Sequence, residues 1–122
     1  MQATGRAGWM DLTVEDASSV RDFYAAVLGW QAEEVQMNGY ADYAMGPEGE
    51  AVAGICHARG PNRGLPAAWI VYWVVDDLDA ALRSAKERGG VVIDGPRGSG
   101  ARLAVLQDPA GAVFALWQAA PG

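Results

Sequence analysis

A chain of 122 residues, 51% of them apolar, has room for one compact core and not for several domains. Nine basic side chains against fifteen acidic ones leave a formal charge of −6, which argues against nucleic acid and anionic membranes, since both need clustered Lys and Arg. The lone Cys56 excludes an intrachain disulfide, and no apolar run approaches the roughly 18 residues of a membrane span.

The start, "MQATGRAGWMDLTVED", has no apolar signal-peptide stretch, so a cytoplasmic protein is expected. Residues 8–14, "GWMDLTV", alternate. Met10, Leu12 and Val14 point one way and Trp9, Asp11 and Thr13 the other, as in a half-buried strand. "ASSVRDFYAAVLGW" follows, with Val20, Phe23, Val27 and Leu28 at helical spacing. Asp16 is placed to cap this helix, and Gly29 suits its left-handed end. Short strands are expected near 32–37, 41–46 and 51–57, with "NG" and "GPEG" as turns. "ARGPNRGLP", residues 58–66, reads as a linker.

The order then restarts. A strand at 68–75 runs into Asp77, which caps a helix "LDAALRSAKERGG" closed by Gly89. Strands are expected near 91–93, 101–106 and 112–118, with "DGPRGSG" and "DPAG" as turns. Asp16 and Asp77 stand 61 positions apart (77 minus 16), and each follows a strand valine, Val14 or Val75, by two residues. Each half reads strand, helix, three strands. A unit of about 60 residues buries its own core with difficulty, so two βαβββ modules in one α+β domain are expected. Module 1 covers about 8–57 and module 2 about 67–118.

Three stretches carry a resemblance. "DLTVEDASSVRDFYAAVLGW", "WIVYWVVDDLDAALRSAKERGGVV" and "ARLAVLQDPAGAVFALWQ" resemble, in this order, the two strand–helix units and the closing hairpin of the vicinal oxygen chelate superfamily. That family includes glyoxalase I, the bleomycin-resistance proteins and extradiol dioxygenases. The resemblance implies two tandem modules forming a curved sheet around a cavity. It also implies, for the enzymes, a divalent metal held by His, Gln or Glu from the first and last strands of the modules. The matching positions here are Trp9, Ile70, Ala115 and the segment Ala53 to Ile55. None has a side chain that binds a hard or borderline cation, so no metal and no cofactor are expected.

Other constellations have bland readings. Cys56 and His57 are neighbours on a strand and point to opposite faces, so they cannot act as a nucleophile–base pair. Cys56 reads as structural and His57 as a surface or linker-edge residue. The "RGPNRG" and "GPRGSG" runs lack the Lys-Ser/Thr and the helix of a phosphate loop.

Alignment of the repeats assigns the faces. Val71 and Trp73, with Trp69 beside them, fall on the helix-covered side, as do Phe114 and Leu116. The other side should carry Trp9, Asp11, Thr13, Tyr72, Val74, Val113, Ala115 and Trp117, with Arg102, Ala104 and Leu106 of the preceding strand. An apolar, aromatic surface with a few polar handles suits a small-molecule pocket. The same face could instead pack against the other module or a second subunit. The expected ligand set is therefore Trp9, Asp11, Thr13, Tyr72, Val74, Arg102, Val113, Ala115 and Trp117. The expected function is metal-independent binding of a hydrophobic or aromatic small molecule. The resemblance to bleomycin-resistance proteins implies antibiotic sequestration, and the family implies a homodimer. The rival is an enzyme, either with atypical metal ligands or with Asp11, Tyr72 or Arg102 in acid–base roles.

Overall fold

The structure, a computed structural model, describes residues 4–121. Its elements follow the repeat: β1 (Ala7–Val14), α1 (Ala17–Leu28), β2 (Gln31–Gln36), β3 (Ala41–Gly46), β4 (Ala53–His57), then β5 (Trp69–Val74), α2 (Leu78–Glu87), β6 (Val91–Arg97), β7 (Arg102–Gln107) and β8 (Val113–Gln118). This is the α+β fold of two βαβββ modules. A short 3-10 turn, Gly60–Asn62, lies inside the linker. Two compact units divide the chain. The first runs Trp9–Trp69; the second joins the described residues before Trp9 to those from Ile70 on.

In the first unit the strands lie in the order β2-β3-β4-β1, with β1 parallel to β4 and the other pairs antiparallel. Asp16 caps α1 by accepting from the Ser19 amide at 3.1 Å. Gly29 ends it at φ 71°, where its N–H reaches the Ala25 carbonyl. The helix is turned from the expected stripe. Ala17, Val20 and Tyr24 pack on Tyr43, Met45 and Ile55, whereas Phe23, Val27 and Leu28 are exposed. The fully buried Ala17 lets the backbone of α1 approach the sheet closely, and this selects the face.

In the second unit the order is β5-β8-β7-β6, with β5 parallel to β8 and the rest antiparallel. Gly5 and Arg6, just ahead of β1, bond to both polar atoms of the Val74 backbone. Asp77 caps α2 through the Ala80 amide at 3.1 Å. Gln118 covers a further first-turn amide, that of Leu78, at 2.7 Å. Leu78 and Leu82 of α2 close over Ala104, Leu106 and Leu116. Truncating one of these leucines to alanine would cost about 2–5 kcal/mol.

Two expectations are corrected here. β6 runs to Arg97, so "DGPR" belongs to the strand and not to a turn. Trp73 shares the helix-side face with its pair partner Leu116, yet it is 40% exposed, because α2 lies over β7 and β8. Trp69 is helix-covered as expected, in the cluster beneath α1, where it donates from Nε1 to the Tyr24 hydroxyl at 3.1 Å.

Candidate functional site

Each unit has one sheet face packed under its helix and an open face, one that its own helix does not cover. The central residues of the open faces, Thr13, Val74, Val105 and Ala115, are nevertheless buried. The sequence-assigned residues are distributed over both units. In the first unit, alternation along β1 sends Leu12 and Val14 toward α1, and Trp9, Asp11 and Thr13 the other way. Asp11 pairs with Gly54 and Thr13 with Cys56 across the parallel strands. The Trp9 indole donates from Nε1 to Asp11 Oδ1 at 2.6 Å. The carboxylate occupies the space that a side chain on residue 54 would need: a Cβ built there would collide with Asp11 Oδ1. Gly54 is therefore the floor on which Asp11 lies.

Cys56 is buried on this face. Burial pushes its thiol well above the ordinary range, and the carboxylates of Asp11 and Asp42 add to the effect. A thiol so protonated is no nucleophile. His57 points to the opposite face, as strand alternation requires, and as the last residue of β4 it stands at the linker edge, though it is largely buried and not on the surface. Its ring donates from Nδ1 to the Ala41 carbonyl at 2.9 Å and lies 3.5 Å from buried Asp42. Asp42 also accepts the His57 backbone N–H at 2.8 Å. Tyr40 and Tyr43 flank the imidazole. A cleft of about 360 Å³ at the β2–β3 end of this unit is lined by Gln31, Glu33 and Glu50 among others, and contains none of the sequence-assigned residues.

In the second unit, Tyr72 pairs with Ala115 and Val74 with Trp117. Across β8 and β7, Trp117 opposes Leu103, Ala115 opposes Val105 and Val113 opposes Gln107. Opposed residues project on one side of a sheet, so these form one face. Val74, Val105 and Ala115 are buried, and Tyr72, Leu103, Val113 and Trp117 are partly exposed. Small, fully buried Ala115 lies between Tyr72 and Val105 on this face.

Arg102 does not belong to this face, nor do Ala104 and Leu106. Ala104 and Leu106 lie in the core beneath α2. Arg102 makes a two-pronged contact with Asp79 in the first turn of that helix, at 3.2 and 3.3 Å. The arginine holds the Asp79 carboxyl below its usual range. The expected register of β7 was off by one residue, and such a slip exchanges the faces of every side chain on the strand.

Sequence reasoning missed Asp94 and Arg97. The register opposes Asp94 to Val105 and Arg97 to Leu103, which puts both on the open face of the second unit. They form an ion pair at 3.1 Å. The signal that could have found them is the interrupted strand pattern "VVIDGPR", where Gly and Pro mark a bulge as readily as a turn.

A family-type metal does not fit these residues. The Trp9 indole can only donate, Ile70 and Ala115 are buried and apolar, and residues 53–55 are Ala53, Gly54 and Ile55. Among the described residues, no group of three or more His, Cys, Asp or Glu is gathered. Among them too, no helix is long and apolar enough to cross a membrane.

This arrangement of modules has known counterparts. A profile of the Glyoxalase/Bleomycin resistance protein/Dioxygenase superfamily matches residues 6–116, and the chain belongs to that superfamily. Anthracycline biosynthesis protein DnrV of Streptomyces peucetius is 36% identical over 95% of this chain and 48% of its own length. The protein named "Putative glyoxylase CFP32" of Mycobacterium tuberculosis (strain CDC 1551 / Oshkosh) is 35% identical over 94% of this chain and 46% of its own. The chain thus spans about half the length of the curated relatives it matches. Among solved structures, BH1468 of Bacillus halodurans C-125 has a TM-score of 0.69 at 15% identity, covering 98% of both chains. At that identity the likeness concerns the fold alone.

Proposed function

We propose that the chain binds a flat aromatic small molecule without metal, on the open face of its second unit. The observation that carries this reading is the set Tyr72, Trp117, Leu103 and Val113 around buried, small Ala115. Rigid aromatic side chains offer stacking area at little cost in rotamer entropy, and a small residue between them leaves room for a ring. The donor chemistry at the family's metal positions supports the metal-free part of the reading. The relative named for anthracycline biosynthesis supports the ligand class, since anthracyclines are planar polycyclic quinones. Sequestration is the simplest biological form of such binding. It needs affinity and no acid or base of tuned pKa.

The enzyme reading is supported by the relative named as a glyoxylase and by one feature of the structure. Trp9 holds Asp11 in a fixed place with a short hydrogen bond, as a general base would need. Native mass spectrometry against a library of aromatic natural products separates the two. A ligand bound stoichiometrically and recovered unchanged supports sequestration. A ligand recovered as product, with turnover lost in Asp11→Asn, supports the enzyme.

A further inference from the structure

Asp94 and Arg97 stand three residues apart, a spacing that sends side chains to opposite faces of a regular strand. Register shifts between Val92 and Asp94, and again between Asp94 and Arg97, undo that alternation. Trp117, Leu103 and Arg97 then form one row across the sheet, and Tyr72, Ala115, Val105 and Asp94 the next. A charged pair has been turned onto the rim of a mostly apolar, aromatic face whose other polar members are Gln107 and the Tyr72 hydroxyl.

The hydrogen-bonding capacity of that pair is not exhausted. Arg97 Nε lies 3.1 Å from Asp94 Oδ2, and the two side chains are about one third exposed, at 37% and 32%. Those two atoms are themselves buried and out of hydrogen-bond alignment, so the contact is chiefly one of charge. Among the described residues, Asp94 is the one carboxylate set against Arg97. Asp94 fixes where the guanidinium sits, and the outer N–H groups keep their donor capacity. A planar guanidinium beside ring surface suits a carboxylate or an ionised phenol, which it binds through two parallel charge-assisted hydrogen bonds.

We infer that Arg97 sets the specificity of the open face, which takes aromatic ligands carrying an acidic oxygen, with Asp94 as its positioning residue. This rests on the aromatic-face reading above. The test uses two matched probes, anthraquinone-2-carboxylate and the neutral anthraquinone-2-carboxamide, titrated at pH 7 into wild type and into Arg97→Gln. The wild type should prefer the carboxylate by about tenfold to a hundredfold, the range of a charged hydrogen bond. In Arg97→Gln the preference should vanish while affinity for the amide holds.

Equal affinity of wild type for both probes overturns the Arg97 assignment and leaves the aromatic-face reading standing. So does a preference that survives Arg97→Gln. Binding of neither probe overturns both. Should Arg97→Gln lose its fold by thermal melting, Arg97→Lys decides. That variant keeps the charge but not the fork, so a reduced preference supports the assignment and an unchanged one contradicts it.

Discussion

Gly54 lies across the strand pair from Asp11, and its missing side chain is what gives the Asp11 carboxylate its place. Nothing about residue 54 in isolation marks it as important. Its φ is not in the left-handed region that favours glycine, so the demand for glycine comes from space and not from backbone conformation.

Gly54→Ala should therefore act on Asp11 and Trp9 together. The added methyl meets the carboxylate, with Trp9 Nε1 at 3.4 Å behind it. Overpacking of this kind costs about 1–3 kcal/mol. The expected result is a lower denaturation midpoint with an altered tryptophan emission spectrum, because the Trp9–Asp11 hydrogen bond is displaced. Unchanged emission would mean that the carboxylate moves aside without disturbing the indole.

Arg102 tests the face assignment from the other side. Arg102→Ala should leave ligand affinity at the wild-type value, since the side chain is committed to Asp79 on the α2 side. The Asp79 carboxyl should return to its ordinary titration range, a change visible by NMR. In the native protein its pKa is depressed, so the small stabilisation is present at neutral pH and lost as pH falls through the folded value. A loss of affinity in this variant would restore Arg102 to the binding face.

Cys56 should appear in the alkaline stability profile. Its folded pKa is raised above the ordinary value of 9.0, first by burial and then by Asp11 and Asp42. The folded state therefore keeps a proton that the unfolded chain gives up. Stability is intact below about pH 9 and falls as pH rises beyond it, by at most about 1.4 kcal/mol per pH unit. Cys56→Ala should flatten that decline in denaturant melts between pH 8.5 and 10. Iodoacetamide should leave the native thiol unmodified at pH 8 and label it in urea.

The modules were legible because their punctuation is local. Asp16 and Asp77 cap their helices as the spacing requires, and Gly29 adopts the left-handed turn. Strand alternation also sorted β1 and β8 correctly, where one face is plainly apolar. It failed on β7, where "RLAVLQ" is apolar on both faces and no local pattern fixes the register. It failed again on β6, because a bulge breaks the two-residue period of a regular strand. The rotation of α1 was hidden for a related reason. Phe23, Val27 and Leu28 are as apolar as Val20 and Tyr24, and close approach at Ala17 decides between the stripes. Asp94 and Arg97 were thus absent from the sequence-assigned face, and Arg102 was assigned to the face opposite the one it occupies.

The central claim is metal-free binding of a flat aromatic molecule at Tyr72 and Trp117. The most direct test is calorimetric titration of chelator-treated protein with anthraquinone-2-carboxamide, beside Trp117→Ala. Saturable binding of one ligand per chain is expected, weakened about tenfold or more when the indole is removed. Absence of saturable binding, or binding that Trp117→Ala leaves unchanged, would contradict it.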